Sequence, residues 1–385
     1  MRFADNRNKI GKYIPAVVFL IFIYGMALWF IFSPKPDYSS SEKRYLQKFP
    51  EVTAEKLLSG DFGSEFETFF ADRFPQRNTW VGLNAYTALA VGNNGASGVY
   101  NCKNGYLINK PVSTENNLDK NIGAVADFAK SIDTPTTVML VPSTGYIVDD
   151  VLPTFHDKYN DDEDISKISS TLSKDKIGFV DLRERFKSEC KNGSQLYYKT
   201  DHHWTTKGAY TGYQELCKAL GITPIDDSTL KKDSYPDFYG TTYSSSGFWL
   251  TPPDNIEIWN NPKNSDRNIS VKITEGANIK TSGSMYFTDH LKEDDKYPVF
   301  IDGNHALTEI TNTNAKNGTI LLIKDSFSHS LAPFLAENYS KVVLVDLRYY
   351  KESVSDLVTT YNPEQVVVLY GIDNLATDTD IVWLK

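Results

Sequence analysis

Two of the six histidines in this 385-residue chain stand side by side, in the stretch TDHHWTTKGAY at residues 200–210. An imidazole can take up and return a proton near neutral pH, and a neighbouring carboxylate can fix its orientation. If residues 199–204 continue a strand in extended form, side chains two apart share a face, so Asp201 and His203 point one way and His202 the other. The pattern therefore favours Asp201 as the acid that orients His203 as a general base.

A base of this kind needs a nucleophile, and TILLIKDSFSHSLAPFLAENY at residues 319–339 offers one. The stretch predicts a strand, a sharp turn and a helix, with Ser326 at the turn, where open α/β sheets present ligands and nucleophiles. Backbone amides at the start of the helix, that of Phe327 among them, are suited to stabilising an oxyanion. A simple helix cap by Ser326, Asp325 or Ser328 is the alternative interpretation.

A metal site is the competing interpretation of the Asp201, His202 and His203 cluster. Adjacent histidines diverge in an extended chain, and no HExxH motif accompanies them, so we expect no metal and no other cofactor. The chain has only three cysteines, which make no zinc pattern and allow at most one disulfide, with Cys190 and Cys217 as one option.

Apolar strands separated by helical stretches must position these residues. TTVMLVP, GFVDL and QLYYKT in the middle of the chain, and TILLIK, KVVLVDL and QVVVLY in its last third, are runs rich in β formers. Continuous apolar strands are typical of a parallel sheet covered by helices on both faces, so the sequence predicts an α/β fold. Residues 232–315 lack helical periodicity, which predicts an insertion of short strands and loops. GVYNCKNGYLIN at 98–109 predicts a β-hairpin that turns at Asn104-Gly105.

The beginning of the chain predicts a membrane anchor at residues 13–33. Residues 14–32 are uncharged and apolar, and they follow a leader, residues 1–12, that carries a charge of +3. A run of this length just spans a hydrocarbon core. A cleaved signal would have a shorter apolar core and a small-residue exit, and a buried core helix is the remaining alternative. The basic leader predicts a cytoplasmic N-terminus and an extracytoplasmic body.

The segment at residues 34–95 is expected to join the anchor to an α/β domain at residues 96–385. Residues 34–50 are rich in proline and serine and predict a linker. DFGSEFETFFADRFPQR at 61–77 sets phenylalanines at helical spacing, and a second helix is predicted over 79–91. We expect this helical pair to pack on the main domain, with contact to a membrane partner as the alternative.

The charge of the chain limits its partners. The net charge is -9, so the part beyond the leader carries -12. Such an acidic body argues against nucleic acid as a ligand.

Several of these motifs together resemble the DHHW family, which is similar to the alginate O-acetyltransferases with an SGNH-hydrolase-like domain. They are DHHW followed by T-x-x-G-A, K-D-S-F-S after an apolar strand, and the upstream segments FETFFADRFPQR and CKNGYLI. The resemblance covers most of residues 40–350 and implies Asp201 as acid, His203 as base and Ser326 as nucleophile. Since ordinary SGNH hydrolases carry the serine first, the order found here implies a circularly permuted sheet.

The resemblance also implies an activity and a partner. Acetyl would pass from an activated donor to the serine and then to a polysaccharide hydroxyl. A multi-spanning membrane acyltransferase of the MBOAT type would deliver the acetyl group, because cytosolic acyl-CoA cannot reach the outside. An esterase that removes acetyl groups uses the same triad and is the nearest alternative. A catalytically idle glycan-binding or scaffold subunit is the other.

The oxyanion and substrate contacts rest on weaker patterns. SGNH enzymes use a glycine amide and an asparagine side chain for the oxyanion, so Asn304 in Gly303–His305 is a candidate, although a plain turn also explains that stretch. The serine turn lacks the glycine that is usual in these enzymes. Trp204 would either stack on a sugar or pack beneath the following helix. Tyr243 and Arg348 are further candidates for lining the cleft.

Overall fold

The computed structural model describes residues 12–112 and 117–384. The chain divides into two compact units, with the boundary after Tyr86. The predicted leader, apart from Lys12, lies outside the described residues, so its orientation across a membrane stays a prediction.

The first unit begins with α1, Ile14–Phe32, a helix of 19 residues of which none is buried. At about 1.5 Å per residue, its length matches the hydrocarbon core of a bilayer. Within the described part of the chain, α1 alone is long and apolar enough to cross a membrane.

The rest of the first unit is more ordered than the predicted linker. A short hairpin pairs β1, Tyr38–Ser39, with β2, Arg44–Tyr45. The buried Asp72 holds it by accepting two hydrogen bonds from the Arg44 guanidinium, at 2.9 and 2.6 Å. The helices that follow are α2 (Ala54–Ser59), α3 (Asp61–Asp72) and α4 (Arg77–Ala90), and the last two confirm the predicted pair.

The second unit alternates strands and helices along most of its length. Its strands are β3 (Gly95–Ala96), β4 (Val99–Asn101), β5 (Leu107–Asn109), β6 (Thr136–Val141), β7 (Gly178–Asp181), β8 (Lys231–Phe238), β9 (Asp254–Asn260), β10 (Ile269–Glu275), β11 (Asn278–Ser282), β12 (Leu307–Asn312), β13 (Asn317–Lys324), β14 (Tyr339–Val345) and β15 (Gln365–Gly371). Its helices are α5 (Leu118–Ser131), α6 (Thr144–Ile147), α7 (Asp161–Lys174), α8 (Arg183–Lys191), α9 (Thr206–Leu220), α10 (Thr241–Ser246), α11 (Ser328–Leu335), α12 (Val354–Tyr361) and α13 (Ile372–Thr377).

A mostly parallel sheet forms the centre of this unit. Its strand order is β11-β10-β12-β14-β13-β15-β6-β7, and the five strands from β14 to β7 run parallel. On β6, Met139 and Val141 pack into one apolar core, whereas Val138 and Leu140 pack into the other. Both faces of the sheet are therefore covered, as the continuous apolar strands predicted.

Part of the predicted insertion of short strands and loops belongs to the central sheet. β10, β11 and β12 extend the sheet by antiparallel pairing, with β12 on β14. In β10, the buried Ile269, Val271 and Ile273 alternate with more exposed residues. Antiparallel strands commonly alternate in this way, and this pattern of period two is what distinguishes them from the central strands.

The predicted hairpin is confirmed, and one predicted strand is wrong. β4 and β5 pair around Asn104 and Gly105, whose φ values of 58° and 77° suit a two-residue hairpin turn. QLYYKT at residues 195–200 is not a strand, because only an isolated bridge joins Tyr197 to Trp204. Its apolar residues are buried in the core, which gave the stretch a strand-like pattern.

All three cysteines are free thiols, so Cys190 and Cys217 are not paired. Burial raises the pKa of Cys217 to about 12, and also that of Cys102. The buried thiols are therefore poor nucleophiles.

Candidate active site

The three predicted catalytic side chains form one hydrogen-bonded chain. His203 Nε2 lies 2.7 Å from Ser326 Oγ, and His203 Nδ1 lies 2.5 Å from Asp201 Oδ1. Asp201 and His203 are buried, whereas Ser326 is half-buried and open to a ligand. This order of acid, imidazole and hydroxyl is the arrangement that activates a serine for attack. The structure thus brings together the residues that the sequence singled out, while their catalytic role stays a prediction.

A tight turn, and not an extended strand, holds Asp201 beside His203. Tyr197 and Trp204 form an antiparallel bridge, so the chain reverses between them. Asp201 Oδ1 also accepts the backbone N–H of His203 at 2.8 Å. The predicted extended geometry is therefore wrong. The ring of His202, instead of facing away, has its centroid 3.8 Å from that of His203.

The turn at residues 197–204, which we call the acid–base turn, is fixed by two segments of the predicted insertion. Asp254, at the start of β9, accepts the backbone N–H of Thr200 at 2.8 Å and its hydroxyl at 2.7 Å. Asp201 Oδ2 accepts the backbone N–H of Thr241 at 2.7 Å. Gly240 permits this approach, since a Cβ there would lie 2.0 Å from the Cβ of Asp201. The sequence pattern did not single out any of these supporting residues.

The electrostatics of the turn keep Asp201 ionised. Burial would raise the pKa of Asp201, but the adjacent imidazoles of His203 and His202 and the hydrogen bonds to its carboxylate hold that pKa well below its usual range. Burial and the proximity of His203 lower the pKa of His202 to about 4. His202 is therefore neutral at physiological pH, and its Nδ1 lies 2.6 Å from the Thr241 hydroxyl.

The turn that carries Ser326 is fixed by Asp325. Asp325 Oδ1 accepts the Phe327 backbone N–H at 2.9 Å, and Oδ2 accepts the Gly371 N–H at 2.7 Å and the Asn374 side-chain amide at 2.8 Å. These bonds join the ends of the neighbouring parallel strands β13 and β15. The serine is consequently presented at the carboxyl edge of the sheet, where the sequence predicted it.

Two aromatic rings hold the His203 imidazole in place. The Tyr297 ring lies parallel to it at 4.0 Å with an interplanar angle of 10°, and the Phe327 ring meets it edge-on at 5.1 Å. The Tyr297 hydroxyl donates to the Ser326 carbonyl at 3.2 Å. Sequence analysis missed Tyr297, because a loop tyrosine 94 positions from the histidine carries no local signal.

We expect Tyr297→Ala to lower kcat by about 10- to 100-fold, because the imidazole loses its stacking partner and small misplacements of a catalytic group are costly. Tyr297→Phe keeps the ring and should stay within about 3-fold of the parent chain, since it loses only the neutral hydrogen bonds of the hydroxyl to the Ser326 carbonyl and to Ser330 Oγ, at 3.2 and 3.4 Å. Turnover of an acetyl ester is measured on variants whose folding is verified by near-ultraviolet circular dichroism. Equal losses in the two variants would instead assign the effect to the hydroxyl.

The backbone amide predicted for the oxyanion is already occupied. The N–H of Phe327 donates to Asp325, so in this structure it is not free to meet an oxyanion. The N–H of Ser326 makes no hydrogen bond within the described chain. Which amide would meet an oxyanion stays a prediction.

Asn304 and Arg348 bind each other. Arg348 Nη2 donates to Asn304 Oδ1 at 2.9 Å, and the same guanidinium binds both oxygens of the buried Asp346. Beneath them, the buried Lys324 donates to Asp346 and to His329 Nε2, each at 2.9 Å. Within the described residues, neither Asn304 nor Arg348 forms a hydrogen bond with the triad, so neither is placed as an oxyanion donor.

Trp204 lies in the core, which excludes the sugar-stacking alternative. Its side chain is 0% exposed. The indole N–H donates to the Phe327 carbonyl at 3.0 Å and to the Ser330 hydroxyl at 2.9 Å. Through these hydrogen bonds, Trp204 links the acid–base turn to the segment that contains Ser326.

Tyr243 belongs to an aromatic group near the acid–base turn. Its ring lies 4.2 Å from that of Tyr239 and 5.2 Å from that of Trp249, and all three side chains are half-buried. The backbone N–H of Tyr243 donates to the carbonyl of Thr200, the residue before Asp201. We refer to the three rings as the aromatic platform.

A cavity of about 50 Å³ adjoins the acid–base turn and is lined in part by His202, Phe327, Ser143 and Asp373. The Ser143 backbone N–H donates to Asp161 at 2.7 Å, and its hydroxyl donates to Asp373 at 3.0 Å. Burial raises the pKa of Asp161 to about 7 and that of Asp373 to about 6. The two carboxyl groups are therefore protonated in the folded chain at a pH where they ionise in the unfolded chain.

This proton binding predicts that the free energy of unfolding decreases as pH rises from about 4 to about 7, by on the order of 7 kcal/mol, because each pH unit over which one group is protonated only in the folded state is worth about 1.4 kcal/mol. The contribution is present in full at low pH, because the folded state binds the extra protons, and it is lost at neutral pH. Thermal unfolding midpoints at about pH 5 and about pH 7.5 measure it. Replacing both groups, Asp161→Asn with Asp373→Asn, should reduce the difference between the two midpoints. An unchanged difference would contradict the assignment.

A comparison with known families decides the family of the chain. The family model described as "DHHW protein" matches residues 112–345, more than half of the chain. The chain belongs to the DHHW family. The matched range contains Asp201, His203 and Ser326. Comparison with curated proteins finds no match for this DHHW chain.

Solved structures share the fold of this DHHW protein. A DHHW family protein from Eubacterium siraeum has a TM-score of 0.63 at 17% identity, over 75% of this chain and 97% of that one. PatB1 from Bacillus cereus has a TM-score of 0.61 at 20% identity, over 73% of this chain and 98% of that one. A structure of PatB1 with a sulfonyl adduct gives 0.60 at 20% identity, over 74% and 97%. The DHHW chain therefore has an α/β fold with a mostly parallel central sheet, similar to that of PatB1.

Proposed function

We propose that this DHHW protein is a membrane-anchored O-acetyltransferase that modifies polysaccharide hydroxyls through an acyl-serine intermediate. The observation that carries the proposal is the hydrogen-bonded chain from Asp201 through His203 to Ser326. A half-buried serine at the carboxyl edge of the sheet, with a buried base and a buried acid behind it, is suited to acyl transfer.

The reaction has two symmetrical halves. Ser326 Oγ attacks the carbonyl carbon of an activated acetyl ester while its proton passes to His203 Nε2, and the leaving alcohol then takes that proton. A sugar hydroxyl next attacks the acetyl-serine, His203 takes the proton of that hydroxyl, and Ser326 recovers it on leaving. Asp201 holds Nδ1 of the imidazole and stabilises the imidazolium in both halves. The free N–H of Ser326 is our proposed oxyanion donor.

We propose no metal for this reaction. Asp201, His202 and His203 bring possible ligand atoms within 4.8 Å of one another. Both ring nitrogens of His203 are already hydrogen-bonded, so a metal bound to His203 would displace either Asp201 or Ser326. No other cofactor is needed for acyl transfer between two hydroxyl groups.

The acceptor binds next to the acid–base turn in this proposal. Half-buried aromatic rings offer flat apolar faces to sugar rings, and the aromatic platform of Tyr239, Tyr243 and Trp249 lies on both sides in sequence of Thr241, which binds Asp201. The net negative charge of the body leaves nucleic acid out of the proposal.

The anchor and the acetyl supply complete the proposal. α1 serves as an uncleaved anchor with its N-terminus in the cytoplasm, so that residues 34–385 lie outside the membrane. An MBOAT-type membrane acyltransferase delivers acetyl, since an extracytoplasmic site has no access to cytosolic acyl-CoA. The triad order, with Ser326 after His203, supports a circularly permuted relative of the SGNH hydrolases.

Incubation of the full chain with an acetyl ester, with and without an oligosaccharide acceptor, tests this function. We expect a mass increase of one acetyl group on Ser326 and acetylated sugar when the acceptor is present. Release of acetate at the same rate with and without the acceptor would indicate an esterase instead. Absence of both products and of the adduct would favour a non-catalytic glycan-binding subunit.

A further inference from the structure

We propose that an aromatic face in the first unit lies in the outer surface of the lipid bilayer, beside the anchor. This aromatic face consists of Phe30 near the end of α1, Phe49, and Phe66, Phe69 and Phe70 of α3. The inference rests on the proposed function in one respect, since it requires α1 to stay in the membrane.

The aromatic face is continuous with the membrane-length helix. The rings of Phe30 and Phe70 stack with their centroids 4.6 Å apart, and Phe30 also meets Phe69 edge-on at 6.3 Å. Phe49 extends the group, 5.4 Å from Phe69 and 6.0 Å from Phe66. Phe30 lies two residues before the end of a helix about one hydrocarbon thickness long, so α3 is held at the level where hydrocarbon meets headgroups.

Three of the five rings of the aromatic face are exposed, which indicates that another apolar surface covers them. Phe49 is 57% exposed, Phe66 41% and Phe70 43%, although their rings are joined in one cluster. Soluble surfaces seldom leave joined apolar side chains open to water. Rings at the end of a membrane helix find a favourable site among lipid headgroups and upper acyl chains.

Charges around α3 are compatible with a lipid surface. Lys56 neutralises Glu65 at 2.8 Å, so one acid of the helix is paired. Lys35 lies over the ring of Phe30 at 3.5 Å, which sets an ammonium group where lipid phosphates would be. Glu67 lies three residues before Phe70 and is therefore its neighbour on the helix surface, at the edge of the aromatic face. Thr68 is rotated by about 160° from both Phe66 and Phe70, so it points off the aromatic face.

Site-specific photocross-linking in the full chain tests this contact. A benzophenone amino acid replaces Phe66 in protein reconstituted in vesicles of phosphatidylcholine alone, and lipid adducts are measured by mass spectrometry after irradiation. The same probe in place of Thr68, an exposed residue on the opposite side of the same helix, is the matched control. The probe in place of Tyr24, exposed in the middle of α1, reports whether the anchor itself lies in the bilayer.

We expect lipid adducts from positions 24 and 66 and at least about 10-fold fewer from position 68, because the cross-linker reaches only neighbouring groups. Adducts at position 24 with equal yields at 66 and 68 would overturn the inference and leave the anchor intact. The absence of adducts at position 24 would overturn the anchor, and with it this inference, while leaving the acyl-transfer chemistry untouched.

Discussion

Ser326→Ala is expected to abolish formation of the acetyl-enzyme and to reduce turnover by about 10⁴- to 10⁶-fold, the range typical of removing a serine nucleophile. The hydroxyl makes one hydrogen bond, to His203, so its removal should cost the fold no more than about 1 kcal/mol. Intact mass after incubation with an acetyl ester measures the adduct, and released acetate plus acetylated sugar measure turnover.

Ser328→Ala is the matched control for this experiment. The Ser328 hydroxyl lies in the next turn of the same segment, is fully buried and has no hydrogen-bond partner among the described residues. We expect the Ser328→Ala variant to form the acetyl adduct on Ser326 and to retain most of the turnover. Undiminished activity in Ser326→Ala would show that another residue is the nucleophile.

Asp201→Asn is expected to lower kcat by about 10⁴-fold with little change in the position of the ring. An asparagine can present its amide N–H to His203 Nδ1, which places the imidazole proton on Nε2. Nε2 would then face Ser326 as a donor and could no longer accept the serine proton. The turn should still form, because the asparagine oxygen can accept either the Thr241 N–H or the His203 N–H that the carboxylate binds now.

The variant His202→Ala, compared with His203→Ala, distinguishes the roles of the two adjacent histidines. His202 is neutral and contacts the Thr241 hydroxyl, whereas His203 contacts the serine, so we expect His202→Ala to lose less than about 10-fold and His203→Ala to lose as much as the serine variant. The measurement is kcat for acetyl transfer across a pH series. A loss in His202→Ala equal to that in His203→Ala would refute the choice of base.

The local patterns of this chain were informative wherever a short stretch decides its own structure. The apolar run of α1, the buried parallel strands and the Asn104-Gly105 turn each follow from periodicity or from backbone preferences within a few residues. The same local rules misassigned QLYYKT, because a core segment that turns back at the candidate active site has the composition of a strand. They also gave no indication that β10, β11 and β12 pair with the main sheet, since pairing partners distant in sequence leave no local trace.

The candidate nucleophile, base and acid were chosen by residue chemistry, and the resemblance of their motifs supported the choice. Their contact is a tertiary fact, since His203 and Ser326 are separated by 123 positions in the chain. The sequence argument for pairing Asp201 with His203 assumed an extended strand, and a tight turn produces the pair instead. A short polar side chain can bond to a backbone N–H two residues on, and that geometry competes with the strand.

The sequence by itself determined which residues are of the types that carry chemistry and which segments are apolar enough for a membrane or a sheet, because side-chain type and periodicity are local properties. Only the tertiary structure decided that Tyr297 stacks on the base, that Asp254 and Thr241 fix the acid–base turn, and that Trp204 is buried. Burial and hydrogen-bond partners depend on which distant segments meet, and for these residues the meeting is set by packing around the whole sheet.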